Sequence, residues 1–308
     1  MTEVPHSKSS SGNHGEANPD ENAVGDPDGE ADLATLEPEH YYDEYGHEEW
    51  ERLEATLGGH LEFEGTTDYL ARYLPESGHV LDAGGGAGRY AVWLAERGYE
   101  VTLVDVSRRQ CELARAKADE HGVDDRVTVD RGDIRELPFR ENRFDAVCCT
   151  GGPLSHIVEA AEREQTLSEL RRVARADSPV FVSVMSRLAV LQNLVRSPEN
   201  IPGVDAIAAD GTYDRAFARE HLDHLEAPEF TGCHFFRAAE LEAALETAGF
   251  DVQALVGLEG IATNVGERQP LEELDEKHVE AVTETVRALR TDPAVVDWAN
   301  HILAVARV

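Results

Sequence analysis

The chain has 308 residues, 61 acidic against 28 basic, for a formal charge of −33. That excess argues against a nucleic-acid partner, whose phosphates call for a basic surface, and the longest apolar candidate for a membrane span, 180–195, is broken by Arg187. With no apolar leader core at the start, the reading is a soluble cytoplasmic protein long enough for one large α/β domain with insertions.

Residues 1–36 are rich in Ser, Gly, Asn, Pro and acids, with almost no large apolar side chain before Leu33, so an acidic disordered tail is expected there. Residues 37–77 carry two helical patterns, one through Trp50, Leu53 and Leu57 and one through Phe63, Tyr69, Leu70, Tyr73 and Leu74. Strand and helix then alternate: strand 79–83, a helix 89–97 stopped by Gly98, strand 100–104, and a helix capped by Ser107 and stopped by Gly122. Strands 126–130 and 144–149, a long helix 159–175 and strand 179–185 follow. This rhythm predicts a parallel, doubly wound sheet across residues 78–185. Residues 186–236 break it with Pro198, Pro202, Gly203, Gly211 and Pro228 and read as an insertion. Residues 237–308 restore it with helix 238–248, strand 250–258, a helical stretch 271–298 and a last strand 302–308.

The stretch Val80 to Tyr90, Val-Leu-Asp-Ala-Gly-Gly-Gly-Ala-Gly-Arg-Tyr, is a buried strand, a glycine turn and a helix start. It brings bare N–H groups and a helix N-terminus to the carboxyl edge of the sheet, where a cofactor can approach. The dinucleotide pattern Gly-x-Gly-x-x-Gly fails from Gly84, because Arg89 stands third. The shifted register Gly86, Gly88, Ala91 fits its looser form, which leaves a nicotinamide open. Asp82, two residues before the glycines, would repel a pyrophosphate and suits an ammonium or sulfonium.

Asp82, Gly84, Gly86 and Gly88 together resemble the first motif, Asp-x-Gly-x-Gly-x-Gly, of the class I S-adenosylmethionine-dependent methyltransferases of small-molecule type. The resemblance covers roughly 41–258 and the final strand. It implies a Rossmann-like α/β fold with a mostly parallel seven-stranded sheet and an antiparallel last strand. It also implies lid helices in 37–77, a cofactor core in 78–185 and a C-terminal part of the sheet in 237–308, while the location of His221, His224 and His234 marks the insertion 186–236 as the acceptor-binding cap. The implied cofactor is S-adenosylmethionine, on Asp82, Gly84, Gly85, Gly86 and Gly88. Asp105, about twenty residues on, would accept both ribose hydroxyls beside Val106. Gly132-Asp133-Ile134 resembles the adenine-binding element, and the backbone at Cys149 and Thr150 would line the methionine part.

His156 is the catalytic candidate, since an imidazole can take a proton from an attacking group; it serves equally well as a helix cap or pocket wall. Tyr42, Tyr45 and Trp50 can close over the cofactor or simply pack. His221, Asp223, His224, Cys233 and His234 lack firm ligand spacing, so no metal is expected. An Asn-Pro-Pro-Tyr element is absent after the fourth strand, which favours a small-molecule acceptor, reached by in-line displacement. Ala176-Asp177-Ser178-Pro179 replaces the family's Pro-Gly-Gly turn. An NAD-dependent oxidoreductase and a non-catalytic S-adenosylmethionine-binding protein stay open as alternatives.

The acidity runs along the whole chain with only three lysines, Lys8, Lys117 and Lys277. Such a composition suits molar salt, where the Debye length falls to about 3 Å, as in a halophilic archaeon. Cys111, Cys148, Cys149 and Cys233 are expected as free thiols.

Overall fold

The computed structural model describes residues 33–196, 203–221, 230–263 and 269–308. The tail expected over 1–36 lies outside them except at its end. There Leu33–Leu36 form a 3-10 turn with Leu36 buried, so these four residues, expected in the tail, are structured. The Leu36 carbonyl accepts bonds from Gly232 N (3.0 Å) and Thr231 Oγ1 (3.1 Å), which ties this turn to the insertion.

Three helices follow: α1 (Pro38–Tyr45), α2 (Glu48–Ala55) and α3 (Leu57–Tyr73). The single pattern through Trp50, Leu53 and Leu57 is split, because Thr56 is extended and its hydroxyl caps the new helix by accepting from Gly59 N at 3.1 Å. The sheet section then reads β1 (His79–Ala83), α4 (Arg89–Ala95), β2 (Glu100–Asp105), α5 (Arg108–Glu120), β3 (Val127–Arg131), β4 (Ala146–Cys149), α6 (Ala160–Val173) and β5 (Pro179–Met185). Phe144, expected to open β4, makes only an isolated bridge to Ala174.

The insertion holds α7 (Arg187–Leu194), α8 (Val204–Asp210), β6 (Thr212–Tyr213), α9 (Arg215–His221) and β7 (Cys233–His234), with β6 and β7 paired antiparallel. Ile207, Phe217, Cys233 and Phe235 give it a small core of its own. Asp223 and His224 lie outside the described residues. The chain closes with α10 (Ala238–Thr247), β8 (Asp251–Gly257), α11 (Glu276–Leu289), α12 (Pro293–Val296) and β9 (His301–Arg307).

The seven-stranded sheet runs β3-β2-β1-β4-β5-β9-β8. Its first five strands are mutually parallel, and β9 is antiparallel to both neighbours. Side chains alternate between faces along each strand. Val80, Val101, Leu103 and Phe181 pack in one apolar layer with Ala91 and Leu94 of α4, while Leu81, Val104, Val147 and Val182 pack in the other with Leu167 and Leu170 of α6. The adjacent Cys148 and Cys149 fall in opposite layers, and all four cysteines are free and buried. Among the described residues no helix is long and apolar enough to cross a membrane.

Helix α1 is pinned to the first turn of α5. Ser107 Oγ accepts from Gln110 N (3.0 Å) as the helix cap and donates to Asp43 Oδ1 (2.5 Å), which also accepts from Arg109 N (3.1 Å). Gln110 Nε2 donates to the carbonyls of Tyr42 and Gly46, both at 2.9 Å. An acid at a helix N-terminus also meets the positive end of the dipole. Ser107→Ala should therefore cost about 1–2 kcal/mol, read as a lower urea midpoint with an unchanged denaturant slope.

Candidate functional site

At the carboxyl ends of β1, β2 and β4 the chain encloses a cavity of about 750 Å³, roofed by α1 and α2 and lined from the insertion by Asp214, Arg215 and Gly232. The glycine turn forms its floor. Gly84 sits at φ +74 with its N–H on the Val104 carbonyl (2.7 Å), and a Cβ there would stand 2.5 Å from the Pro153 ring. Only glycine fits both demands. Gly86, at φ +52, donates its N–H to Asp105 Oδ2 at 2.9 Å.

Gly84, Gly85, Gly86, Asp105, Val106, Asp133, Ile134, Thr150 and His156 all line the cavity; Asp82 and Gly88 do not. Gly88 caps α4 at φ +86, behind the turn. Asp82 corrects the expectation of a carboxylate facing the ligand. Strand alternation turns it beneath the glycines, on the side of α4, where a Cβ on Gly85 would lie 2.6 Å from its Oδ2. It is fully buried, neither oxygen has a hydrogen-bond partner, and the nearby Ala91 N–H lies outside bonding geometry. Burial, with the charge of Asp105, raises its pKa to about 7.

Asp105 is held from two sides, its Oδ1 accepting from Ser107 N (2.9 Å) and its Oδ2 from Gly86 N. Burial lifts its pKa to about 6, opposed by these two N–H groups and aided by Glu49 and Asp43. Asp133 is less open than expected. Arg135 donates to its Oδ1 from N (2.8 Å) and Nε (3.0 Å), and to its Oδ2 from Nη2 (2.6 Å), while Nη1 reaches Glu162 (2.6 Å). Burial would raise the Asp133 pKa, but these bonds bring it below the usual value. Thr150 brings to the wall a buried hydroxyl with no partner.

His156 bridges roof and body instead of standing free as a base. It ends the 3-10 turn Pro153–His156; its Nδ1 faces the Gly232 carbonyl (3.4 Å), and its Nε2 accepts from the Tyr42 hydroxyl (2.9 Å). The tautomer is assigned from these partners. Burial drives its pKa down to about 4, so the ring is neutral near pH 7. Of the other aromatics considered, Tyr45 packs on Tyr41 and Tyr42, and Trp50 is buried in the core under Arg89.

Sequence reasoning missed a buried charge cluster behind the roof. Arg52, on the wall, donates from Nη1 to Glu62 Oε2 (2.5 Å) and from Nη2 to Glu62 Oε1 (3.2 Å), with longer contacts to Glu49 (3.4 and 3.5 Å). His301 Nδ1 lies 2.6 Å from Glu259 and 3.5 Å from Glu62. Burial would lower the His301 pKa, but the two glutamates raise it to about 9. Among the described residues Glu62, Glu259 and His301 form the one group with ligand-type atoms close enough, within 4.8 Å, for a metal. Arg52 and a protonated His301 already balance its charge. Only the i, i+3 spacing of Glu49 and Arg52 was visible beforehand.

Residues 80–177 match a family model described as a methyltransferase domain. The methyltransferase GfsG of Streptomyces halstedii is 31% identical over 153 residues, 49% of this chain and 51% of that protein. A glycine/sarcosine N-methyltransferase of Aphanothece halophytica is 28% identical over 152 residues, 48% of this chain and 57% of that one. The chain thus spans about half the length of the curated relatives it matches. A solved S-adenosylmethionine-dependent methyltransferase of Methanosarcina mazei superposes with a TM-score of 0.54 at 19% identity, covering 78% of this chain and 96% of that one.

Proposed function

Because the sheet has the class I methyltransferase fold and residues 80–177 match a methyltransferase domain, we propose that this chain is an S-adenosylmethionine-dependent methyltransferase acting on a small molecule. The observation that carries the reading is Asp105, a carboxylate fixed by the Gly86 N–H at the mouth of the glycine turn. A carboxylate offers about four lone-pair sites, and Gly86 and Ser107 use two, which leaves two for a ribose diol. The turn, with no side chains at Gly84, Gly85 and Gly86, suits close approach of a cofactor, Ile134 supplies an apolar surface, and the unpartnered Thr150 hydroxyl offers a polar contact.

When bound, the cofactor supplies a methyl group already activated on a sulfonium. The residues of this chain then have to hold two reactants in line and keep water out. The roof of α1 and α2 suits that task, and the cavity volume is in the range of small-molecule sites. The glycine/sarcosine relative supports an acceptor of modest size.

Titration calorimetry in molar potassium chloride tests the reading. Micromolar binding of S-adenosylmethionine and S-adenosylhomocysteine with none of NAD is the expected result, and binding of NAD alone would replace it with the oxidoreductase. In His156→Ala, S-adenosylhomocysteine affinity should stay within about threefold, since the ring contacts Tyr42 and Gly232 and not the glycine turn. Stability should drop by about 1–3 kcal/mol as the Tyr42 hydroxyl loses its partner, measurable by urea unfolding.

A further inference from the structure

Resting on the methyltransferase reading, we infer that the acceptor is a small amine carrying a positive charge, and that Glu49 is the carboxylate that recognises its ammonium group. An acidic wall is expected of any cavity in a chain of charge −33, so the abundance of acids has no weight here. The pairing of each charge does.

Among the described residues every arginine on the cavity wall is engaged. Arg89 pairs with Glu54, Arg135 with Asp133 and Glu162, and Arg215 with Glu37. Arg52 is committed to Glu62, which is 2% exposed and held from behind by His301. Among the described residues an anionic acceptor would find no uncommitted guanidinium on this wall. His156, neutral and spoken for by Tyr42 and Gly232, offers no positive charge either.

Glu49 is in the opposite position. Its bonds from Arg52 are long, 3.4 and 3.5 Å, because the guanidinium is drawn to Glu62. It projects from α2 toward the glycine turn, its Cγ 3.4 Å from where a Cβ on Gly86 would stand, and its charge is felt at Asp105 and Tyr42. The carboxylate therefore faces the cavity only partly compensated. A cationic nitrogen placed against it, with the Tyr42 and Thr150 side chains lining the same cavity as further polar groups, completes the charge balance that Arg52 leaves unfinished.

The test uses the full chain saturated with S-adenosylhomocysteine, which lacks the sulfonium charge; its own α-ammonium is the cofactor group that could still reach Glu49, and the affinity of each variant for it is therefore measured as well. Benzylamine, histamine and tyramine are titrated by calorimetry, each beside its N-acetylated counterpart. We expect at least one amine to bind, acetylation to weaken it at least thirtyfold, and Glu49→Gln to do the same while S-adenosylhomocysteine affinity stays within threefold. Glu49→Asp should fall between the two. Retained S-adenosylhomocysteine binding also shows that the variants are folded. Equal binding of acetylated and free amines, binding of no amine, or an unaltered amine affinity in Glu49→Gln would each overturn the assignment. So would loss of cofactor affinity alone in that variant, which would move Glu49 to the donor's side. Failure of the wild-type chain to bind S-adenosylhomocysteine at all would instead remove the methyltransferase reading itself.

Discussion

Asp105→Ala is expected to lower S-adenosylhomocysteine affinity by about a hundredfold or more while the chain remains folded. Two ribose hydroxyls donating to one carboxylate make two charge-assisted bonds of roughly 1.5–3 kcal/mol each, and a factor of ten in affinity corresponds to about 1.4 kcal/mol. The substitution also frees the N–H groups of Gly86 and Ser107, which loosens the floor of the site. Asp105→Asn retains the shape and one acceptor oxygen, so it should lose less than the alanine variant. Calorimetry with the product nucleoside, next to a urea curve for each variant, separates a binding defect from a folding one. Wild-type affinity in folded Asp105→Ala would remove the ribose assignment.

Asp82→Asn is expected to stabilise the unliganded protein at pH 8 by up to about 4 kcal/mol and to do almost nothing at pH 4. The aspartate titrates near 3.8 when exposed and at about 7 in the folded chain. Between those values the native state holds a proton that the unfolded state has released, so stability falls as pH rises through the window. At 1.36 kcal/mol per unit, three units amount to about 4 kcal/mol. Its cause is a fully buried carboxylate with neither a cationic partner nor a hydrogen bond. An amide of the same shape cannot ionise, so the loss disappears. His301 acts in the same direction over an overlapping window, because its pKa is raised from 6.5 to about 9 and the stability of its protonated form is lost as pH rises between those values. Comparing variant with wild type at each pH cancels that contribution. An equal effect at pH 4 and pH 8 would show that Asp82 is not the titrating group.

The features legible in the sequence are those written within one strand-turn-helix unit. Apolar runs ending in acids marked β1 and β2, Ser107 and Gly122 bounded α5, and the glycines at 84–88 marked the turn. Asp82 was misjudged because its place in the motif is a matter of spacing, while its direction is set by the two-residue period of β1. The engagement of Asp133 by Arg135 lies two residues away, but the sequence does not say which partner a carboxylate at a strand end will take. The cluster of Glu49, Arg52, Glu62, Glu259 and His301 was out of reach for another reason. Its members come from α2, α3, the turn after β8 and the first residue of β9, and meet only once β9 is inserted beside β5.

Ser107 serves two masters. Its backbone N–H steadies the Asp105 carboxylate, and its hydroxyl grips Asp43 of α1. A ligand that draws on Asp105 and a roof that leans on Ser107 thus act on one residue, and linkage makes their influence mutual. A nucleoside held by Asp105 would therefore favour the seating of α1 on α5 by the same free energy with which that seating favours the nucleoside.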